Sequence, residues 1–223
     1  YSKIVKFKSK AVRTDSVRVD FGDELELPVV AAAWYQLGNA YKKSGQHEKA
    51  VDAYRHVLDV GGVLEDFRSL VQFQVAETRF LSKEFGEAAK EYKRYVELFP
   101  TTSEAGKAYF YAGWSEFNLK EYDSAIETLE GMLAAYPEGR YAPDSQFRIA
   151  SALFEKGRYE DTVEQAQIVL DKYPNSPVIA QAVYLKANAF DKMARDTEAI
   201  TAYRDVRDLY DRMFELLRGS FRE

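Results

Sequence analysis

The hydrophobic positions of the chain recur at intervals of three and four residues from residue 31 onward, with polar residues between them. This spacing places apolar side chains on one face of an α-helix. In the first such stretch Gly45 ends the helix, and a second apolar face follows it. The first face carries Trp34, Leu37, Gly38 and Tyr41, and the second carries Ala50, Tyr54 and Val57. The pattern predicts a helix-turn-helix pair.

This pair is repeated along the chain. Three aromatic-proline steps, Phe99-Pro100, Tyr136-Pro137 and Tyr173-Pro174, lie 37 residues apart. Small residues recur with spacings of 38, 37, 37 and 37 at Ala50, Ala88, Ala125, Thr162 and Ala199. A fixed period in this range indicates a solenoid, because one helix pair cannot bury its apolar face alone. We therefore expect an all-α protein of about five helix-turn-helix repeats.

The two ends of the chain depart from the repeat. Residues 1–30 do not keep it, and the alternation of apolar and polar residues over Val17–Phe21 predicts a connector or a short strand. We expect a solenoid over 31–210 and a C-terminal capping helix extension over 211–223. The predicted units are 31–68, 69–105, 106–142, 143–179 and 180–210.

The C-terminal end also carries an apolar stripe at three- and four-residue spacing. Its members are Tyr203, Val206, Tyr210, Met213 and Leu217. A terminal repeat must hide its apolar face. The stripe predicts either a helix that folds back as a cap or an open end that pairs with a second copy or with a missing repeat, and the first of these is the expectation. A homodimer through this helix is the alternative.

Composition and charge argue against several classes of function. The net charge is -5, and the charged residues, 30% of the chain, are mixed in sign, which argues against a nucleic-acid partner. The segment 1–20 is basic, at +4, and is interpreted as a solvated connector. The longest apolar run, Leu27 to Trp34, is too short to span a bilayer. Because the chain starts at Tyr1, we expect a mature or trimmed fragment, and the loss of an upstream signal or lipid anchor is left open.

The repeated residues resemble the tetratricopeptide repeat (TPR) pattern. Trp34, Leu37, Gly38 and Tyr41 match its first half, Ala50 and Tyr54 match its second, and the resemblance covers about 180 residues. The junctions after Pro137 and Pro174 are similar to those of two bacterial envelope TPR proteins, the Tol-Pal-associated cell-division coordinator and the lipoprotein of the outer-membrane β-barrel assembly machine. The resemblance implies a right-handed superhelix with a concave groove.

The same resemblance implies which side chains line that groove. The expected partner-binding residues are Tyr35, Asn39, Phe73, Glu77, Lys107, Phe110, Trp114, Phe147, Ser151, Tyr184 and Asn188. A further inward position holds Lys42, Phe80, Phe117, Phe154 and Asp191. One interpretation is an aromatic groove for an extended or helical peptide. The other is that the aromatic residues pack on the next repeat. Trp114 is the one aromatic residue at the variable middle position, and it is either a binding anchor or a structural residue.

The sequence offers no residue set for chemistry. His47 and His56 are the only histidines, and their spacing does not place them on one helix face for a metal ion. There is no cysteine, which excludes thiolate metal sites and cysteine nucleophiles. Phosphate-binding, hydrolase and zinc-protease motifs do not occur. We expect no catalytic residue, no metal site and no cofactor.

These observations predict a non-catalytic scaffold that binds a partner protein or peptide in its concave groove. The resemblance implies a periplasmic or outer-membrane-associated location in a bacterium, with the cytoplasm as the alternative. Two other functions remain open at this point. The repeats can be an accessory array of a larger enzyme or of a secretion or assembly component, or the chain can be a scaffold that associates with itself.

Overall fold

The computed structural model describes residues 16–20 and 24–220, with side chains described over 27–209 and at Asp211. Ten helices occupy this part of the chain, as the periodicity predicts, and the all-α helix-turn-helix fold is confirmed. A two-stranded hairpin, β1 (Ser16–Asp20) and β2 (Glu24–Pro28), precedes them. The helices are α1 (Val29–Lys43), α2 (His47–Asp59), α3 (Glu65–Leu81), α4 (Phe85–Leu98), α5 (Ala105–Asn118), α6 (Tyr122–Ala135), α7 (Ala142–Glu155), α8 (Tyr159–Lys172), α9 (Ile179–Lys192) and α10 (Asp196–Ser220).

The hairpin is antiparallel, with Val17 opposite Leu27. The predicted short strand therefore exists as β1, and β2 is a second strand that the sequence analysis did not predict. Both strands alternate apolar and polar residues, a pattern typical of a sheet with one covered face. Leu27 is fully buried in the cluster that also holds α1 and α2 residues, so the end of β2 is tied to the first helix pair.

The chain divides into two compact units. The first ends at Ser82 and contains the hairpin with α1, α2 and α3, and the second begins at Lys83 and contains α4 to α10. The predicted boundaries of the five repeats remain a prediction. In the second unit, each helix from α4 onward packs on the helix that follows it.

The first unit is built on a close approach of α1 and α2. A Cβ atom on Gly38 would lie 2.6 Å from Cε1 of Tyr54, so only glycine leaves room for the tyrosine ring. The Tyr54 hydroxyl donates a 2.7 Å hydrogen bond to Oδ1 of Asn39 on the same helix as Gly38. Tyr35 packs in the same cluster, with its ring 5.1 Å from that of Phe67 on α3.

The second unit repeats this arrangement with different side chains. The core around α5 and α6 holds Leu129, which lies directly opposite Gly113. Ala88, Ala125, Thr162 and Ala199 are all buried, as their recurrence at one position of the repeat predicts. The Thr162 hydroxyl is satisfied by donating to the carbonyl of Arg158, so a polar residue is tolerated at this small position.

The turn inside each helix pair has one backbone shape. A residue with positive φ follows the first helix at equivalent points of all five pairs: Gly45, Lys83, Lys120, Gly157 and Ala194. In four of these turns the next residue donates its N–H to the carbonyl five residues earlier, as Glu121 does to Glu116 at 3.0 Å. This bond satisfies a helix-end carbonyl and is the Schellman arrangement.

Successive repeats of the second unit are also joined at the aromatic-proline steps. The hydroxyl of Tyr136 donates a 2.7 Å hydrogen bond to the carbonyl of Pro100. One repeat later, the hydroxyl of Tyr173 lies 3.5 Å from the carbonyl of Pro137. The recurring tyrosine thus links equivalent points of neighbouring repeats.

The predicted C-terminal cap falls mostly outside the described side chains. The backbone of α10 continues to Ser220, which makes it the longest helix of the described chain, at 25 residues. The side chains of Tyr210, Met213 and Leu217 lie outside the described residues. Whether they form a cap therefore remains a prediction.

Candidate functional site

The cluster of aromatic and cationic side chains on α5 and α7 is the candidate site. The guanidinium carbon of Arg148 lies 4.6 Å from the ring centroid of Trp114 and 5.5 Å from that of Phe117. Both distances are within the range of cation–π attraction. We refer to Phe110, Tyr111, Trp114, Phe117 and Arg148 as the Trp114–Arg148 cluster.

Two aromatic rings hold Trp114 in position. Its ring stacks on Tyr111 at 5.5 Å with an interplanar angle of 25°, and the ring of Phe110 lies 5.6 Å away. Phe110 in turn stacks on Tyr141 at 5.3 Å, and Tyr141 directly precedes α7. Trp114 is half-buried between these neighbours.

Helical spacing explains why these residues meet. Phe110, Trp114 and Phe117 follow one another at i, i+4 and i+7 on α5, which puts them on one face. On α7, Asp144 and Arg148 are four residues apart and share a face. The packing of α5 against α7, through Ile149 and Leu153 beside Phe110, brings the two faces together.

Burial shapes the electrostatics of the cluster. It lowers the pKa of the Arg148 guanidinium, which the nearby Asp144 carboxylate partly offsets. Burial also raises the pKa of the Asp144 carboxyl, against the opposing effects of its backbone hydrogen bond and of Arg148 and Arg140. Within the described part of the chain, the Arg148 guanidinium makes ring contacts but no hydrogen bond and no ion pair within 4 Å. Its N–H donors are therefore uncommitted.

A basic cleft opens close to this cluster. It has a volume of about 380 Å³ and lies between the loops that precede α5 and α7. Its lining includes Lys107, Arg140 and Tyr141, together with Glu104. The Lys107 ammonium lies 5.8 Å from the Tyr111 ring and the Arg140 guanidinium 5.9 Å from the Tyr141 ring. Tyr141, which lines the cleft, also contacts Phe110 and Tyr111 of the Trp114–Arg148 cluster.

Several of the predicted groove aromatics are covered by protein. Tyr35, Phe73 and Phe110 are buried, and Phe147 packs against the cluster of Val169, Val178 and Ala182. These are the positions expected if the aromatic residues pack on the next repeat. Tyr184 differs, because 53% of its surface is exposed.

The predicted polar groove residues are engaged inside their own units. Asn39 accepts from Tyr54, and Asn188 accepts a 2.7 Å hydrogen bond from the hydroxyl of Tyr203. Glu77 forms a 2.7 Å ion pair with Lys42. The hydroxyl of Ser151 donates to the carbonyl of Phe147.

Only part of the predicted set converges. The structure brings Phe110 and Trp114 into contact, and Lys107 reaches the same cluster through Tyr111. Tyr184 and Asn188 meet separately at Tyr203. Sequence reasoning missed Arg148, although its spacing of four from Asp144 and its place beside the aromatic stripe were readable signals.

Other chemistry is not visible in the described residues. They contain no group of three histidine, aspartate or glutamate side chains arranged to hold a metal ion. Among the same residues, none of the helices combines the length and the apolar character needed to cross a membrane.

Two protein-family models match parts of this chain. A tetratricopeptide-repeat model matches residues 31–60, and the YfiO model, described as an outer membrane lipoprotein, matches residues 107–218, half of the chain. The chain belongs to the YfiO family. The match covers the Trp114–Arg148 cluster and most of the second compact unit. The family recognised from the repeats is therefore confirmed.

Solved structures show the same fold. The MamA protein is 17% identical over 83% of this chain and 94% of its own, with a TM-score of 0.67. Kinesin light chain TPR-like repeats from Podosopora anserina are 18% identical over 82% of this chain and 96% of their own, with a TM-score of 0.62. Curated protein sequences gave no significant match. At these identities the likeness concerns the fold, which is typical of protein–protein interaction scaffolds.

Proposed function

We propose that this YfiO-family chain is a non-catalytic scaffold that binds a segment of a partner protein at the Trp114–Arg148 cluster. The observation that carries the proposal is the set of contacts that Arg148 makes. Its guanidinium face lies on two aromatic rings, while its donors have no hydrogen-bond partner in the described residues. An arginine fixed in this way is ready to bind a carboxylate through two parallel hydrogen bonds.

The chemistry of the cluster defines the partner segment. Arg148 selects an acidic side chain or a C-terminal carboxylate, and the half-buried ring of Trp114 beside it selects an apolar residue. Lys107 and Arg140 in the adjoining cleft add positive charge along the same path. The segment is therefore a peptide in which an acidic residue lies next to a large apolar one.

Binding of labelled peptides tests this proposal. A set of peptides with a Glu-Leu, Gln-Leu or Glu-Ser core is titrated with the protein, and fluorescence polarisation gives each dissociation constant. We expect the Glu-Leu peptide to bind best. Trp114→Ala should weaken it by about 2 kcal/mol, the size typical of an anchor residue. Arg148→Lys should reduce the preference for Glu over Gln, since lysine keeps the charge but loses the planar fork that makes two parallel hydrogen bonds.

A matched control uses another arginine of the second unit. Arg158 is exposed and already paired with Asp161 at 2.6 Å, so Arg158→Lys should leave peptide binding unchanged. Thermal unfolding of each variant separates lost binding from lost structure. Equal affinity of Arg148→Lys and wild type for the Glu and Gln peptides would contradict the proposal.

We further propose a periplasmic or outer-membrane-associated location in a bacterium. The support is the YfiO family match, because that family is described as an outer membrane lipoprotein. The alternative is the cytoplasm. Fractionation of the bacterium that encodes the chain, with antibody detection in the periplasmic, membrane and cytoplasmic fractions, decides between them. Recovery in the cytoplasmic fraction alone would reject the envelope location.

A further inference from the structure

The first helix carries an apolar stripe that is exposed. Val30, Ala33, Leu37 and Ala40 lie on one side of α1, and all four are exposed, Leu37 to 37% and Val30 to 58%. No helix pair precedes α1 in the described part of the chain. We call these four residues the α1 stripe.

The same stripe is covered in the later repeats. The residues equivalent to Ala33, Leu37 and Ala40, found by the 38- and 37-residue spacings, lie on α3, α5, α7 and α9. Eleven of these twelve are buried: Val71, Val75, Thr78, Ala108, Ala112, Ser115, Ser145, Ile149, Ala152, Ala182 and Ala189. The exception is Lys186, which is half-buried. This side of a first helix is therefore the side that meets the preceding repeat.

In the last repeat, an aromatic side chain on the opposite side is exposed where its equivalents Tyr35 and Phe110 are buried. Tyr184 is equivalent to Tyr35 and Phe110, which are covered by Phe67 and Tyr141 from the start of the next repeat. Tyr184 has no next repeat among the described residues and is 53% exposed.

A residue of α10, Tyr203, is also more exposed than its equivalents in earlier repeats. Tyr203 is equivalent to Leu129 and Ala166, which are both fully buried, yet Tyr203 is 37% exposed. Tyr184 and Tyr203 pack on each other at 6.0 Å and form one surface, which we call the α9–α10 end.

We propose that the α1 stripe of one copy docks on the α9–α10 end of a second copy, so that the chain associates head to tail. The two surfaces are the two halves of the contact that joins consecutive repeats within the chain. The register places the N-terminal turn of α1 over Tyr184, as Phe67 lies over Tyr35. Val29, which is equivalent to Phe67 by the same spacing, is itself exposed.

Such a contact is heterologous, because each copy uses a different surface. After one contact forms, one α1 stripe and one α9–α10 end remain open, so the assembly grows into open chains unless the rotation closes a ring. This inference does not depend on the peptide site, because Trp114 and Arg148 belong to neither surface.

Two single variants test the proposal by analytical ultracentrifugation. Leu37→Glu blocks the α1 stripe, and Tyr184→Glu blocks the α9–α10 end; both positions are exposed, so the fold should survive. Wild type should associate as concentration rises, whereas each variant alone should be monomeric, with its dissociation constant raised at least about tenfold by the buried charge. Mixed together, the variants should form a dimer with one copy of each and nothing larger.

The mixture is what distinguishes this assembly from others. Leu119→Glu, at a residue exposed to 40% and outside both surfaces, should associate as wild type does, and circular dichroism should show unchanged helix content in every variant. A wild type that stays monomeric at every concentration overturns the proposal. So does a Leu37→Glu protein that still dimerises, because that result assigns the contact to two C-terminal helices, or a mixture that forms no dimer.

Discussion

Gly113 on α5 faces Leu129 on α6 so closely that a Cβ atom on Gly113 would lie 2.6 Å from Cγ of Leu129. Leu129 is fully buried, and the carbonyl oxygen of Ala125 lies 3.4 Å from the same point. The surroundings therefore have little room to adjust. Gly113→Ala should destabilise the second unit by about 1 to 3 kcal/mol through overpacking, less the helix propensity gain of up to about 1 kcal/mol.

Gly86 provides the matched control for this substitution. It lies on α4, and a Cβ atom there would meet nothing within 4 Å. Gly86→Ala should therefore keep or slightly raise stability. Urea unfolding followed by circular dichroism measures both variants. A Gly113→Ala protein as stable as Gly86→Ala would show that α5 and α6 are not in the close contact described.

At one of the turn residues with positive φ, a substitution should increase the stability of the protein. Ala194 has φ of 55° and Gly157 has φ of 74° at equivalent turns. A left-handed conformation costs an L-residue about 1 to 2 kcal/mol, and glycine loses about 0.4 to 1 kcal/mol more entropy on folding. Ala194→Gly should therefore stabilise the protein by about 0.8 kcal/mol, the difference between the midpoints of these two ranges.

Gly157→Ala reverses the same change. No atom lies within 4 Å of the Cβ position at Gly157, so any loss of stability there comes from the backbone alone. We expect a loss of about the size of the gain at Ala194. Thermal unfolding of the two single variants measures both effects, and two shifts of the same sign would contradict the backbone shape that these turns share.

Lys42 and Lys90 should contribute very differently to stability. Lys42 on α1 is half-buried and donates to Oε1 of Gln74 at 2.6 Å and to Oε2 of Glu77 at 2.7 Å, both on α3. Lys42→Met should cost about 1.5 to 3 kcal/mol, the range for hydrogen bonds to charged groups. Lys90 pairs with Glu87 within one helix turn at the surface, so Lys90→Met should cost far less stability than Lys42→Met. Urea midpoints compare them, and equal losses would count against the contact between α1 and α3.

The carboxyl group of Asp144 should make the stability of the protein depend on pH. Burial raises the pKa of its carboxyl in the folded protein above the ordinary value of 3.8, so the folded state binds this proton more tightly than the unfolded chain does. The resulting stabilisation is full below pH 3.8 and is lost as the pH rises through the folded-state pKa.

Asp144→Asn cannot take up this proton and isolates the effect. We expect the stability of wild type relative to Asp144→Asn to increase as the pH is lowered through that window. Urea unfolding of both proteins at several pH values between about 3 and 7 measures the difference. A difference that is constant, or that changes in the other direction, would show that the carboxyl is not desolvated as described.

The fold was predictable because its signals are local and repeated. The prolines, the small residues and the spacing of Trp34 and Tyr54 each depend on one helix pair, and a period of 37 residues repeats them. The strand β2 was not predicted, although the alternation in Glu24–Pro28 is as regular as that of β1. Its proximity to the predicted helix start concealed it.

The site was less predictable because exposure depends on the next repeat. Tyr35 and Tyr184 occupy equivalent positions, yet the first is buried beside Phe67 and the second is open. Nothing in either residue's own helix distinguishes them. Arg148 contacts rings on α5 that are more than thirty residues earlier in the chain, so its role depends on packing between repeats, which sequence spacing does not measure.

The hydrogen bond from Tyr136 to Pro100 has a consequence for how such a chain grows by gene duplication. Donor and acceptor lie 36 residues apart, so the bond forms only when the intervening segment has the right length. A duplicated segment of 37 residues adds a new tyrosine and a new proline carbonyl in the same relation, as Tyr173 and Pro137 show. Insertions of one or two residues displace the donor from its acceptor. The bond thus favours copies of full length over copies with small insertions or deletions.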